Sequence, residues 1–337
     1  MTTTKNSTIS IMIQSSFLLL LFVNRVDSFA FTTTSATTTT REKGVVFGHN
    51  HHHPLTSSPC AFQAKKNRTP WRLSAKEETE EEDESVPDMS KLGFVLLAGG
   101  TGSRMKANMP KQFLTLRDIP VLHHSLDLFL NRIPAYLKEQ NLGGPAMVVL
   151  VMDPKYQPEY QPIVDKYPDK LAFANPGEER QGSVENGLSK LVELAGDSCE
   201  YVAVHDSARP LVTIDEICSV VKDASEYGAA VLGVPCKATI KESEDGVLVK
   251  RTIPRSTLWE VHTPQVIRIE TLLRGFKKVE EENLEVTDDV SIVEAMGEPV
   301  KMTRGEYTNL KITTPEDMDV AEAILEERKL ESVDLLA

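Results

Sequence analysis

With 337 residues, the chain is long enough for one large or two ordinary domains with an ample core. It carries 37 Lys and Arg against 50 Asp and Glu, and an acidic body with no basic stripe argues against nucleic acid as its main partner. The four cysteines, Cys60, Cys199, Cys218 and Cys236, form no Cys-x-x-Cys pair and so suggest neither a metal cluster nor a disulfide framework.

The N-terminal part reads as an address. Lys5 precedes an apolar segment, Ile9 to Val23, which is short for a membrane span and suits the core of a signal peptide. A cleavage-like site follows at Val26-Asp-Ser-Phe-Ala-Phe31, so 1–28 is assigned as a signal peptide. Residues 29–76 resemble a transit peptide: from 32 onward they are rich in Thr and Ser, with seven Lys or Arg and Glu42 as the single acid. Signal and transit parts joined at Phe29 resemble the bipartite presequence of algae with complex plastids. That implies a plastid stroma and no stable membrane association after processing. A plain secretory signal or N-terminal anchor is the alternative, and it leaves the basic, hydroxyl-rich part unexplained. His49, His51, His52 and His53 sit in a low-complexity run read as solvated rather than metal-binding. The acidic segment 77–90 is a linker, and 91–337 is a single catalytic domain.

That domain opens on Phe94-Val-Leu-Leu-Ala-Gly-Gly-Thr-Gly-Ser-Arg-Met-Lys-Ala-Asn-Met-Pro-Lys-Gln-Phe113, a buried-type strand breaking into a glycine-rich turn. Gly99, Gly100 and Gly102 let backbone N–H groups approach an anion, and Arg104 and Lys111 add charge for a polyphosphate. No Gly-Lys-Ser/Thr closes the turn, so it is not a P-loop. Met105 stands where a dinucleotide fingerprint needs its third glycine. An ordinary strand-to-helix turn is the competing reading of the glycines alone. The two cations favour a nucleotide, and the stretch looks like the start of a sugar-phosphate or polyol-phosphate nucleotidyltransferase.

Downstream, Val121 to Asn131 reads as a helix, Met147 to Met152 as a central strand, and Tyr156 to Tyr167 as a helix. Leu171 to Ala174 is a strand, Arg180 to Ala195 a helix, Tyr201 to Val204 a strand, Ile214 to Tyr227 a helix and Ala229 to Val234 a strand. This alternation predicts a Rossmann-like α/β domain, its mostly parallel sheet covered by helices on both faces.

Candidate ligand groups lie between these elements. In Pro176-Gly-Glu-Glu-Arg-Gln-Gly-Ser-Val184, a helix start offers Gly177, Arg180 and Ser183 to a base or ribose, or serves only as a cap. His205-Asp-Ser-Ala-Arg-Pro210 directly follows a buried strand. Asp206 is there either a Mg²⁺ ligand beside phosphates or a turn cap paired with Arg209, and His205 is read as structural. The stretch 236–256 looks like a β-hairpin arm turning at Asp245-Gly246. A lone ribbon needs something to pack on, and a second subunit is the economical choice. Thr239, Lys241 and Arg255 lie on or beside this arm, and Thr263 follows in His262-Thr-Pro-Gln265. Thr287-Asp-Asp-Val-Ser291 reads as a helix N-cap, and Lys311 emerges from a strand before a helix starting near Pro315.

Taken together, residues from about 92 to 328 resemble the 2-C-methyl-D-erythritol 4-phosphate cytidylyltransferases, particularly their plastid forms. The carrying motifs are the glycine turn, Met-Pro-Lys-Gln-Phe, Glu-Arg-Gln-x-Ser-Val, His-Asp-Ser-Ala-Arg-Pro-Leu-Val, Gly-Val-Pro-x-Lys-Ala-Thr-Ile-Lys-Glu, Thr-Pro-Gln-Val, Glu-Val-Thr-Asp-Asp-Val-Ser and Asn-Leu-Lys-Ile-Thr. The resemblance implies transfer of CMP from CTP to methylerythritol phosphate with release of pyrophosphate, aided by Mg²⁺, in a homodimer whose arms complete each other's sites. It implies Arg104 and Lys111 as transition-state stabilisers, with Arg255 and Lys311 positioning the sugar phosphate. Ala98, Gly99, Gly100, Gly177, Glu178 and Ser183 fall where cytidine is held, Arg209 and Thr239 near the second substrate, and Asp206 at the metal, with Gly102, Arg180 and Thr263 as further substrate-binding candidates. Gly182 stands where the family usually has an acid, and Glu178 where it often has Asp. A ribitol or ribulose 5-phosphate cytidylyltransferase, a catalytically silent nucleotide-binding protein and a structural dimer protein are the competing functions.

Overall fold

A computed structural model describes residues 85–100, 109–329 and 335. The signal and transit assignments lie outside the described residues, as do Gly102 and Arg104.

The chain begins with β1 (Leu92–Leu97), whose alternate side chains enter opposite cores. Phe94 and Leu96 pack in one cluster, Val95 in the other, as the two-residue period of a strand requires. After a 3₁₀ turn at Lys111–Phe113, a small ribbon of β2 (Thr115–Leu116) and β3 (Ile119–Pro120) leads to α1 (Val121–Asp127). A π-helical turn, Leu128–Arg132, joins α1 to α2 (Ile133–Glu139) without a break. The helix read as ending near Asn131 therefore runs on to Glu139.

Next come β4 (Met147–Val151), α3 (Gln157–Lys166), β5 (Leu171–Ala174), α4 (Arg180–Ala195), β6 (Tyr201–Asp206), α5 (Ile214–Tyr227) and β7 (Ala229–Pro235). The arm contains β8 (Lys241–Glu242) and β9 (Arg251–Thr252), and is followed by β10 (Trp259–Arg268), α6 (Ile269–Glu282), α7 (Asp289–Ala295), β11 (Lys301–Arg304) and α8 (Pro315–Arg328).

The seven-stranded sheet has the order β11-β7-β10-β6-β1-β4-β5. β10 alone runs antiparallel to its neighbours, between β6 and β7, so the sheet is mostly parallel as expected. β10, α6 and β11 are elements beyond those expected from the sequence. One face buries Leu122, Leu126, Ile163 and Val220 from α1, α3 and α5; the other buries Val184, Leu188, Leu272 and Ile292 from α4, α6 and α7. A third, small core joins Leu116 and Val121 to Ile312, Ala321 and Leu325. At the near end of the acidic segment, Met89 is fully buried and its N–H donates to the Gly143 carbonyl (3.2 Å).

Two sequence expectations need correcting. The arm pairs only Lys241 with Thr252 and Glu242 with Arg251, so Asp245-Gly246 is not a two-residue hairpin turn. The Asp245 carboxylate instead accepts the N–H groups of Val247 and Leu248 (2.8 and 2.9 Å), folding the tip into a wider loop. Lys311 lies in an irregular segment rather than emerging from a strand.

Candidate active site

Three consecutive strand ends, β1, β6 and β10, set the floor of the site. Ala98 continues β1 past its last pair, its N–H donating to the Val151 carbonyl at 2.9 Å. The path of the following glycines is fixed by Gln112, which is buried and donates from Nε2 to the carbonyls of Ala98 (2.6 Å) and Gly100 (3.2 Å). Gly99 cannot gain a side chain freely, since a Cβ would meet Pro176 Cβ at 2.9 Å, whereas Gly100 faces open space. Thus the Pro-Lys-Gln run contributes a structural amide beside its lysine.

Lys111 Nζ donates to the Ile312 carbonyl at 2.8 Å, which draws it to the residue next to Lys311. Lys311 Nζ in turn pairs with Asp206 Oδ2 at 2.5 Å. Two lysines 200 positions apart in the sequence are thus tied to one short segment, Lys311 by belonging to it and Lys111 through the Ile312 carbonyl, and Lys311 reaches the last residue of β6. Arg180 Nε lies 3.7 Å from Asp206 Oδ1. Burial alone would raise the Asp206 pKa; Lys311 and Arg180 outweigh it and hold the group down to about 2. Asp206 is an ionised carboxylate at working pH.

The neighbours of Asp206 are held by backbone geometry. Thr263 accepts the Asp206 N–H at Oγ1 (3.1 Å) and meets His205 Nδ1 at 3.2 Å, while His205 Nε2 faces the Arg209 carbonyl at 3.2 Å. Burial pushes His205 down to about 4, so it is a neutral structural histidine and not a base working near neutral pH. Arg209 is buried, donating to the carbonyls of Asn309 (2.6 Å) and Val261 (3.3 Å). Its guanidinium thereby ties β10 to the segment bearing Lys311.

Arg180 opens α4, a helix whose first turn receives no side-chain cap. Its guanidinium is clamped by both oxygens of buried Asp289, 2.7 Å each. Burial works against the charge of Arg180, but Asp289 and Asp206 more than compensate and raise its pKa above the ordinary value. Asp289 is itself set by Gln265, whose Oε1 accepts the N–H groups of Asp289 and Val290 (2.9 and 3.0 Å). Asp288 caps α7 through the Ser291 N–H (3.1 Å), in agreement with the capping expectation for this stretch.

Ser183 spends its hydroxyl inside the turn: it accepts the Gly177 N–H and donates to the Glu179 carbonyl, both at 3.0 Å. A Cβ on Gly177 would lie 2.6 Å from Gly182 C, so the two chain segments touch there. By contrast, a Cβ on Gly182 would meet its nearest neighbour at 3.4 Å, an ordinary contact, so an acid at this position is sterically compatible with the same turn. Glu178 is exposed on the turn.

On the arm, Thr239 and Arg255 are exposed, and Arg255 Nη1 donates to the Lys237 carbonyl at 2.9 Å. The structure brings together Ala98, Lys111, Arg180, Asp206, Arg209, Thr263 and Lys311, and leaves Thr239 and Arg255 on the arm with no contact to that group among the described residues. Gln112, Asp289 and Asn309 were not singled out from the sequence. Their signal was only their presence inside the motifs, and nothing local pairs Asp289 with Arg180.

A bound Mg²⁺ usually takes one or two carboxylates and completes its shell with phosphate oxygens and water. Among the described residues no group of three His, Cys, Asp or Glu could hold a metal alone. Asp206 is an ionised carboxylate of the kind such an ion takes, and its two oxygens face Lys311 and Arg180 here.

A family model for 2-C-methyl-D-erythritol 4-phosphate cytidylyltransferase matches residues 92–327. The chain is 44% identical over 275 residues to the chloroplastic 2-C-methyl-D-erythritol 4-phosphate cytidylyltransferase of Oryza sativa subsp. japonica, covering 81% of this chain and 88% of the relative. It is 39% identical over 236 residues to the bacterial enzyme of Geobacillus thermodenitrificans, covering 69% and 96%. Among solved structures, 4-diphosphocytidyl-2C-methyl-D-erythritol synthase of Anaerococcus prevotii superposes with a TM-score of 0.59 at 25% identity, covering 71% of this chain and 100% of that one. The Thermus thermophilus cytidylyltransferase does so with a TM-score of 0.55 at 29% identity, with coverage of 71% and 100%.

Proposed function

The chain belongs to the 2-C-methyl-D-erythritol 4-phosphate cytidylyltransferase family and is a nucleotidyltransferase; from that membership we propose how its residues transfer CMP from CTP to methylerythritol phosphate. The single observation that carries the assignment of roles is the pairing of Lys311 and Arg180 with Asp206, with Lys111 held on the backbone carbonyl of Ile312, the residue after Lys311.

A phosphomonoester has its second pKa near 6, so the 4-phosphate is already an anionic nucleophile at neutral pH. One of its oxygens forms a bond to the α-phosphorus of CTP as the bond from that phosphorus to the bridging oxygen breaks, and pyrophosphate leaves with the electron pair. No proton has to be removed, in keeping with a His205 that is buried and neutral. The obstacle is the meeting of two anions, which fixed cations and alignment address.

Lys111, with Arg104, stabilises charge on the α-phosphate and the departing pyrophosphate. Lys311 holds the sugar phosphate, Arg255 reaches it from the arm, and Arg209, Thr239 and Thr263 shape that side. Ala98, Gly99, Gly100, Gly102, Gly177, Glu178, Arg180 and Ser183 form the cytidine side, with Ser183 acting through the turn it braces. Asp206 would hold a divalent cation, which when bound would neutralise phosphate charge.

We further propose a homodimer formed through the arm, supported by the exposed apolar tip: Val247, Leu248 and Val249 are 81%, 72% and 61% accessible. A plastid is the expected compartment, in line with the chloroplastic rice relative. Pyrophosphate release tests the reading: CTP with methylerythritol phosphate should give product, whereas UTP, ATP, or CTP with ribitol or ribulose 5-phosphate should give far less. Preference for a pentose phosphate acceptor would overturn it.

A further inference from the structure

Lys311 sits in a segment, 305–313, without regular structure of its own, and its ammonium group pairs with Asp206. The segment is fastened at several points. Glu306 N–H donates to Glu216 Oε1 (2.8 Å), and Ile312 N–H to the Ala208 carbonyl (2.8 Å). The other oxygen of Glu216, a buried residue, accepts from Thr213 N–H and Oγ1 (3.0 and 3.1 Å), so one carboxylate joins the N-terminus of α5 to this segment.

Arg328, in the last turn of α8, completes the fastening. Its Nη1 donates to the Leu211 carbonyl (2.7 Å) and its Nη2 to Thr308 Oγ1 (2.8 Å). A single guanidinium thus spans the loop that bears Arg209 and the loop that bears Lys311. Arg328 also lines a cleft of about 360 Å³ with Thr213, Glu216, Arg304, Glu306 and Thr308, whose lining includes neither Asp206 nor Lys311.

We infer that Arg328, together with Glu216, is a positioning residue for the second substrate: it fixes Lys311 relative to Asp206 without touching either substrate. This rests on the reading of Lys311 as the cation that holds the sugar phosphate. A planar fork donating to one carbonyl and one hydroxyl oxygen sets direction as well as distance, which a lysine at the same place would not do. Small displacements of a phosphate-holding group are costly because alignment supplies much of the rate.

The test compares Arg328→Ala, Thr308→Val and Arg304→Ala in the full chain. Thr308→Val deletes only the acceptor hydroxyl and carries the test should Arg328→Ala not fold. For Arg328→Ala and Thr308→Val, KM for methylerythritol phosphate should rise about tenfold, the worth of one charged hydrogen bond, with KM for CTP unchanged. Amide hydrogen exchange over 305–313 should quicken in both, and Arg304→Ala should match the wild type in both measurements. Millimolar guanidinium chloride, entering the cleft, should restore part of the lost affinity to Arg328→Ala alone. Unaltered exchange over 305–313, or the two KM values moving together with a fall in Tm, would overturn the inference. If the wild-type chain turned over no substrate, the functional reading would fail while the exchange measurement still decided the positioning claim.

Discussion

At the scale of single residues, the site is a balance of charges held at short range. Lys111→Ala should lower turnover by about 10²-fold, the usual loss for a stabilising donor, with little change in Tm; steady-state pyrophosphate release measures it, and near-normal turnover would remove the role. Asp206 offers a second prediction, on acid stability. Its native pKa of about 2 lies below the ordinary 3.8, so the associated stability is complete above the unfolded value and lost as pH falls through about 2. Lys311→Met removes the main attraction for the ionised form, and burial then draws the pKa upward. Thermal unfolding followed from neutral pH into acid should show the variant losing stability at higher pH than the wild type, and superimposable acid limbs would refute the pairing. Asp206 and Lys111 stood out because a charged group at a strand end or beside a glycine turn has a physical reason to be there, whereas the strand expected before Lys311 is absent and its role was implied by the resemblance. Asp289 did not stand out. Its partner Arg180 lies 109 positions away, and the clamp forms only because the first turns of α4 and α7 meet in three dimensions.

At the scale of elements, buried strands and the helices between them were read well: α4 and α5 begin and end where the pattern predicts. The long apolar runs of β4 and β7 leave little choice but a covered strand. β10 escaped because its sequence, Trp-Glu-Val-His-Thr-Pro-Gln-Val-Ile-Arg, mixes polar and apolar residues and contains a proline. It is antiparallel, and a register shift between Val261 and Gln265 accommodates the irregular stretch carrying Thr263. The arm yields the next prediction. Its two paired positions cannot stabilise a free ribbon, and its tip shows three adjacent apolar side chains to solvent. Leu248→Asp combined with Val249→Asp should shift the protein from dimer to monomer in sedimentation and reduce activity with it. A monomeric wild type, or an unperturbed dimer in the variant, would contradict the arm's role.

At the scale of the whole molecule, two large cores on either face of one sheet supply the rigidity on which the site depends. The close approach of α4 to the sheet illustrates it: a Cβ on Gly187 would come within 2.5 Å of Val95 and 2.8 Å of Val151. The catalytic domain should stand alone without its presequence, with one condition. Chains starting at residue 77 should retain full activity and Tm, whereas chains starting at residue 92 lose buried Met89 and should be less stable by about 2–5 kcal/mol in denaturant unfolding. Equal stability would mean that the packing of Met89 contributes nothing. The fold class was legible from alternation alone, since it depends on many residues at once. The third core was not, because it is assembled from short pieces around 116, 211, 312 and 325 that meet only in three dimensions.

The placement of α8 has a consequence for biosynthesis. Every strand of the sheet, and every side chain assigned to the pocket, leaves the ribosome before Pro315 does. A polypeptide released at that point would own the entire chemical inventory and still lack Leu325 and Arg328, which seat the segment holding Lys311. Premature termination should therefore yield a compact but inert product, so that competence is conferred only by the final stretch to be translated.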